Sequence, residues 1–413
     1  MKYLLFFSTL IFSISLFAQE IVLPPDYIKS IQLSTMRSND FAPIIPLNGK
    51  IILSFDDLEA DEKDYYYKLE HCDKNWETSD LISTEFVKGY AEEQIQNYDN
   101  SFNTLQDYTH YSIQFPNEDT RIRISGNYRL SVLDDDGNVI FTRYFIVYEP
   151  ICTVGVSIHR RRDVSYIDSQ QAVQFSINHT NFRIQNPHDE IYPVILQNND
   201  FSTQITGLKP QFIRGDQLLY KYDKETAFWG GNEYLNLDTK EIRYSNMTVA
   251  RVVTGDDLYH SYLYLDQDRS SETYTYFPDV NGNFVIRSVR TENSKTEADY
   301  SQVHFSLDVY EAFSDKDVYV YGAFNNYQIT DENLMTFNSK TNHYETSLKL
   351  KQGFYNYTYI TLGEDDTINT TELNGSHDET ENQYTVLVYY TEYGSYYDRV
   401  IGYGKGSSKV IQH

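Results

Sequence analysis

The sequence predicts an all-β protein of tandem β-sandwich modules, of the immunoglobulin-like and early-set-like kinds. Three observations favour this class: apolar and polar residues alternate with a period of two, turn dipeptides recur, and no stretch keeps a helical period of 3.6 over three turns. At roughly 150 residues per domain, the 413 residues should form two or three modules.

The alternation is clear where Tyr65, Tyr67 and Leu69 interleave with more polar neighbours. The β-forming runs "VYVYGA" (318–323), "YNYTYI" (355–360) and "YTVLVYY" (384–390) predict further strands. Asn-Gly turns at 48–49, 281–282 and 374–375 favour hairpins between them. The best helical candidate, residues 90–98, is short and is equally compatible with a loop.

The N-terminus is typical of a secretory signal peptide over residues 1–18. Lys2 gives a positive start, an apolar stretch follows, and Ala18 offers a small residue for cleavage. Since no cysteine follows, we expect no lipid anchor. The remaining chain predicts three modules, residues 19–150, 151–295 and 296–413. Pro150 ends a hairpin-like run at the first boundary, and a charged run at 290–299 marks the second.

The charge balance excludes several function classes. The chain has 34 Lys and Arg against 60 Asp and Glu, a net charge of −26, which argues against nucleic-acid binding and adhesion to anionic membranes. No segment after residue 18 is apolar enough for direct membrane insertion. An outer-membrane barrel is a rival, but it needs strands of about 9–11 residues with one apolar face. The strands here are shorter and carry outward Lys68 and Glu70.

No catalytic or metal signature is present, so we expect no enzyme activity, cofactor or metal. The loop "DVNGNF" (279–284) begins like a calcium loop, but its twelfth position is Arg290 rather than a glutamate, which favours a hairpin turn. His71 and Cys72 should point to opposite faces of a strand.

Two features allow more than one interpretation. A Cys72–Cys152 disulfide is compatible with an oxidising compartment, although Cys152 should point into a different module. The basic run at 159–162 could be a solvated strand end, a clamp between modules or a site for an acidic partner.

Two segments supply candidate partner-binding residues. "FWGGNEY" places aromatic rings beside paired glycines, although a bulged core hairpin would look the same. "GAFNNY" resembles the sugar-binding turn of early-set glycogen-binding modules, but Tyr327 stands where those modules have a tryptophan, so we expect no glycan binding. The candidates are Phe228, Trp229, Gly230, Gly231 and Asn232, with Phe324, Asn325, Asn326 and Tyr327.

Motifs in order along the chain resemble the type IX secretion system plug proteins of Bacteroidetes. They include "YYYKLEHCDKNW" (65–76), "SGNYRLSVLDDDGN" (125–138), "VILQNND" (194–200), "ADYSQVHFSL" (298–307) and "GSHDETENQYTVLVYY" (375–390). The resemblance implies a periplasmic, non-enzymatic subunit that binds and seals the periplasmic end of a large outer-membrane translocon barrel. The alternative is an exported glycan-binding protein that uses its last module, or, more remotely, cargo of the same system.

Overall fold

The structure, a computed structural model, describes residues 21–35 and 41–410. Strands hold 48% of the residues and helices 4%, which confirms the predicted all-β class of β-sandwich modules. The α-helices in these two ranges are single turns: α1 (Ser83–Phe86), α2 (Pro187–Glu190) and α3 (Ser294–Glu297). The predicted signal peptide lies outside the described residues. No helix within them is long and apolar enough to span a membrane.

The first module consists of two facing sheets. Its strands are β1 (Ile28–Thr35), β2 (Ile44–Pro46), β3 (Ile51–Asp57), β4 (Tyr66–Cys72), β5 (Val87–Gly89), β6 (Glu92–Gln94), β7 (Tyr98–Asn100), β8 (Thr109–Phe115), β9 (Thr120–Ile122), β10 (Gly126–Leu133) and β11 (Val139–Tyr148). The first sheet has the order β1-β3-β8-β7 and the second β2-β11-β10-β4-β6, while β5 pairs with β9. The short helical candidate at 90–98 contains no helix; it includes β6 and the first residue of β7.

The predicted alternation builds the core between these two sheets. Tyr65, Tyr67 and Leu69 are each 1% exposed, as the period-two pattern requires. Phe55 of β3 stacks on Tyr111 of the neighbouring strand β8 with ring centroids 5.2 Å apart. Aromatic side chains thus supply much of the buried area that stabilises this module.

The next strands begin a third sheet. They are β12 (Cys152–Arg160), β13 (Gln170–Asn178), β14 (Ile191–Gln197), β15 (Asp200–Ile205), β16 (Phe212–Arg214), β17 (Gln217–Tyr220) and β18 (Ala227–Trp229). The basic run ends β12: Arg160 pairs with Asp168 and Asp378, and Arg161 with Asp223. It thus joins neighbouring segments through ion pairs.

A fourth sheet follows in the chain. Its strands are β19 (Leu235–Asp238), β20 (Val249–Thr254), β21 (Tyr259–Leu263), β22 (Asp266–Gln267), β23 (Phe284–Ile286), β24 (Tyr300–Asp308), β25 (Lys316–Tyr321), β26 (Leu334–Asn338), β27 (His343–Lys351), β28 (Gly353–Gly363) and β29 (Ile368–Asn369). The main order is β19-β28-β25-β26-β27-β24-β21-β20, with β23 and β29 beside β28 and β22 beside β24.

The chain then returns to the third sheet. β30 (Gln383–Tyr390) pairs antiparallel with β14, and β31 (Arg399–Ser407) pairs parallel with β12. The predicted boundary at 150 lies between β11 and β12, which belong to different sheets. The predicted boundary at 295 lies inside the fourth sheet, and the segment 296–413 supplies strands to two sheets. The strand pairing therefore groups residues 235–369 together and joins 383–407 to the middle segment.

Two kinds of contact hold the first module to the rest. A cluster of buried apolar side chains joins its second sheet to the third sheet, and includes Ile44, Trp76, Ile146, Tyr148, Val194, Leu196, Leu387, Tyr389 and Val400. At the fourth sheet the contact is ionic: Lys351 Nζ lies 2.6 Å from Asp56 Oδ2, and both side chains are fully buried.

Candidate functional site

A cleft of about 1070 Å³ lies at the meeting point of the three groups of strands. We call it the central cleft. Its walls come from residues 21–43 (with 36–40 outside the description), 74–76, 143–144, 192–207, 283–286 and 323–328. The volume is at the upper end of the range for small-molecule sites and has room for several residues of peptide.

The aromatic wall of the cleft is centred on Trp76. Its ring meets Tyr144 at 5.0 Å and Phe201 at 5.6 Å between centroids, both edge to face. The position of Trp76 is set by the turn after β4, because Asp73 Oδ1 accepts hydrogen bonds from the backbone of Asn75 (2.8 Å) and Glu77 (2.9 Å). This "DKNW" turn places one of the chain's two tryptophans where two modules meet.

The cleft has a cationic side. The Arg143 guanidinium donates a hydrogen bond of 2.8 Å to the carbonyl oxygen of its neighbour Thr142, and it lies 5.4 Å from the ring centroid of Phe141. Among the described residues no carboxylate lies within ion-pair distance of it. Burial lowers the pKa of Arg143 to about 10. A guanidinium that lines a cleft, with no counter-ion among the described residues, favours an anion as its ligand.

Two ammonium groups flank the ring of Tyr192 at the same cleft. Lys74 and Lys209 each lie 4.8 Å from its centroid. Lys74 also pairs with Asp398 at 3.4 Å. The one carboxylate that lines the described cleft is Asp200, whose pKa is raised by burial. The cleft is thus less acidic than the chain as a whole.

The candidates at 324–327 contribute to this cleft in part. Asn326 and Tyr327 line it, and Tyr327 packs on Tyr321 at 5.3 Å. Asn325 instead supports the local turn, because its side-chain amide donates to the Val320 carbonyl at 3.1 Å. Phe324 packs on Tyr355 of β28, with 6.1 Å between the ring centroids.

The candidates at 228–232 lie at a different place. Phe228 is buried against Tyr384, whereas Trp229 is 46% exposed. A side chain on Gly230 would approach the His377 carbonyl oxygen to 1.9 Å, so a close backbone contact requires glycine there. The backbone of Gly231 adopts φ +64°.

Asn232 completes this second group. Its amide donates to the Asn374 carbonyl at 2.8 Å. Trp229 to Asn232 line a small cavity of about 60 Å³, which shares Asp200 with the central cleft. The two candidate groups are therefore neighbours on opposite sides of one carboxylate and do not form a single site. Their role in partner binding stays a prediction.

Sequence reasoning missed the main residues of the central cleft. Trp76 ends the motif "YYYKLEHCDKNW" (65–76) but was not predicted to be a site residue. Arg143 lies in β11, where no sequence pattern distinguishes it from other strand residues. The rarity of tryptophan in an aromatic-rich chain was a usable signal for the first. Nothing in the local pattern around Arg143 indicates that no carboxylate of the described ranges 21–35 and 41–410 pairs with it.

The cysteines and the suspected calcium loop have structural roles. Cys72 and Cys152 are free and buried, and burial raises their pKa to about 12 and about 11. In the loop, Asn281 and Gly282 both have positive φ, as a type I′ turn requires. No group of three His, Cys, Asp or Glu side chains that could hold a metal occurs in the part of the chain the structure describes.

Comparison with known proteins gives the class of this all-β protein, which is a component of a secretion system. The family model for the first domain of the type 9 secretion system plug protein matches residues 28–149. A hypothetical protein from Parabacteroides merdae, solved by crystallography, is 32% identical over 94% of this chain and 98% of its own, with a TM-score of 0.90. The chain belongs to the type IX secretion system plug family, which is a family of secretion components rather than of enzymes.

More distant structures add nothing about fold or function. A BSP domain of a biofilm-associated protein (8% identity, 93% of this chain and 59% of that one) and the trypsin-activated α2-macroglobulin of Escherichia coli (9%, 87% and 24%) each reach a TM-score of only 0.17. No curated protein matches the chain.

Proposed function

We propose that this chain is a periplasmic plug subunit that binds and seals the periplasmic end of the outer-membrane translocon barrel of the type IX secretion system. The observation that carries the proposal is the plug-family match at residues 28–149. The relative from P. merdae extends the likeness to nearly the whole chain.

The physical properties of the chain suit a reversible seal. A net charge of −26 keeps a released subunit in solution and favours a basic surface on its partner. The association should therefore weaken as salt is added, because charges separated by more than about 8 Å are screened at physiological ionic strength.

Among the nine candidate residues, the exposed one is Trp229 (46%), and we assign it the role of an interface anchor. A large aromatic ring with half its surface in water is typical of residues that dominate a binding interface. Its ring meets Tyr166 at 5.9 Å, which holds it in place. Trp229→Ala should weaken barrel binding, whereas Tyr310→Ala, which removes a side chain 99% exposed elsewhere, is the matched control.

The test is co-purification from detergent. An affinity-tagged chain expressed in its own cell should recover a very large outer-membrane barrel, and recovery should fall for Trp229→Ala and not for Tyr310→Ala. Recovery of other proteins without a barrel would overturn the proposed function. Equal recovery with both variants would overturn only the role of Trp229.

A second test concerns permeability. Deletion of the gene should make the outer membrane leaky to normally excluded molecules, and deletion of the barrel as well should abolish the leak. A leak that persists without the barrel would contradict the proposal. The contact of Tyr327 with Tyr321, 5.3 Å between ring centroids, counts against the glycan-binding alternative, because it covers part of the ring on which a sugar would stack.

A further inference from the structure

Three strands that line the central cleft have a hydrogen-bonded neighbour on one side only, within the residues described. They are β1, which pairs with β3, β15, which pairs with β14, and β23, which pairs with β28. Lining residues of these strands include Leu33, Phe201 and Val285. A strand with one unpaired edge is a template for the addition of a further strand.

The aromatic wall lies beside these edges. Trp76 is 8% exposed and its ring contacts Phe201 of β15, so an incoming chain can place an apolar side chain against both. In β-strand addition, main-chain hydrogen bonds give affinity, while pockets for alternate side chains give specificity. The cleft thus combines the two parts that this mode of binding needs.

Charge selects the occupant. Arg143 lines the cleft without a carboxylate partner among the described residues. Two ammonium groups lie nearby around Tyr192: Lys74, which is paired with Asp398, and Lys209, which has no ion pair with a described carboxylate. The opposing carboxylate in the lining is Asp200, and burial favours its neutral form. In a chain with 60 acidic and 34 basic side chains, a cleft with this balance is complementary to an anionic group.

We propose that the central cleft binds an extended peptide segment of a partner protein that has alternating apolar side chains and a carboxylate paired with Arg143. The inference goes beyond the sealing of a pore. It rests on the geometry of the cleft and does not depend on the proposed sealing of the translocon barrel.

The probe is a random twelve-residue peptide library displayed on phage, selected on the full chain. Selected sequences should alternate apolar and polar residues and should contain Asp or Glu. Each selected peptide is then synthesised together with a partner peptide in which the acidic residue is replaced by its amide.

Fluorine NMR supplies the readout, because the chain has two tryptophans that can be labelled with 5-fluorotryptophan. Trp229→Phe assigns the two signals. The peptide should shift the Trp76 signal and leave that of Trp229 in place, since Trp76 lines the central cleft and Trp229 lines the smaller cavity.

Arg143 variants test the charge pair. Removal of a charge-assisted hydrogen bond should weaken binding about tenfold. Arg143→Gln should therefore bind the acidic peptide about tenfold more weakly than the unchanged chain does, and should bind the amide peptide with unchanged affinity. Arg143→Lys should restore part of the preference. Arg214→Gln, at an exposed position on β16, should bind like the unchanged chain.

Three results would overturn the proposal. The first is selection of no peptide that shifts the Trp76 signal. The second is equal binding of the acidic and amide peptides by the unchanged chain, and the third is an acidic preference that survives in Arg143→Gln. A circular dichroism spectrum dominated by strand in each variant shows that a loss is not caused by unfolding.

Discussion

Lys351→Met should destabilise the protein through the ion pair that joins the first and fourth sheets. Asp56 is 0% exposed and Lys351 1% exposed, and their charged atoms lie 2.6 Å apart. Lys351 also donates to the Lys295 carbonyl at 2.7 Å and lies 3.9 Å from the ring centroid of Tyr108. The substitution removes the cation and leaves a buried carboxylate without it.

The magnitude follows from what remains around Asp56. Loss of one partner of a buried pair costs about 3–5 kcal/mol, because the other charge is left uncompensated. Here Tyr300 still donates to Asp56 at 2.6 Å, and His110 Nδ1 lies 2.6 Å from the other carboxylate oxygen. These two groups stabilise the remaining charge, so we expect a loss at the lower end, about 3 kcal/mol.

Denaturant unfolding, followed by circular dichroism and by fluorescence, measures the loss. Lys29→Met is the matched control, since the Lys29–Glu332 pair also joins these two parts of the chain but its carboxylate is half exposed (48%). Such a pair contributes about 0–1 kcal/mol. The double variant Asp56→Asn/Lys351→Met should recover part of the stability, because no buried charge remains. A cost for Lys351→Met no larger than that for Lys29→Met would refute the reasoning.

Three further predictions concern acid stability, glycine packing and thiol reactivity. Burial alone would raise the pKa of Asp56, but Lys351 and His110 lower it below its ordinary value. The ionised Asp56 therefore contributes fully to the free energy of unfolding above its unfolded pKa of about 4, and this contribution is lost as pH falls through the folded pKa. The free energy of unfolding should consequently depend less on pH in the acid range for Asp56→Asn than for the unchanged chain. Gly230→Ala should cost at least about 2 kcal/mol, measured by the denaturation midpoint, because its Cβ would meet a backbone oxygen; a neutral effect would contradict the close approach. Cys72 and Cys152 should react with a thiol reagent only after unfolding, and fast labelling of the native chain would show that they are not buried.

Local strand patterns were predictable because they record which face of a strand is buried. Tyr65, Tyr67 and Leu69 are buried as their alternation indicates, and the run at 384–390 lies within β30. The pairing of β30 was not predictable in the same way. Its partner β14 lies nearly two hundred residues earlier, and an apolar strand pattern carries no information about which sheet the strand joins.

The same limit applies to the candidate site. The glycine pair of "FWGGNEY" marks unusual backbone geometry in the local sequence, and in the structure Gly230 lies against the backbone of His377. The central cleft depends on residues from three groups of strands, and neither Trp76 nor Arg143 has a local pattern that marks it. That Arg143 has no carboxylate partner among the described residues is a fact about its neighbours in space, which the local sequence does not record.

The junctions between modules combine contacts with different physical roles. The apolar cluster that contains Ile146 and Leu387 supplies buried area, but apolar contacts are non-directional and tolerate small slips. The Asp56–Lys351 pair tolerates little displacement of the two modules relative to each other. A shift of more than about a hydrogen-bond length would separate the two buried charges and leave each without its partner. Since β1 of the first module and β23 of the fourth sheet both line the central cleft, this pair also specifies the distance between two of its walls. We infer that the buried charges contribute to this geometric specificity more than to net stability, so the double variant should recover part of the stability and yet bind the cleft peptide less tightly.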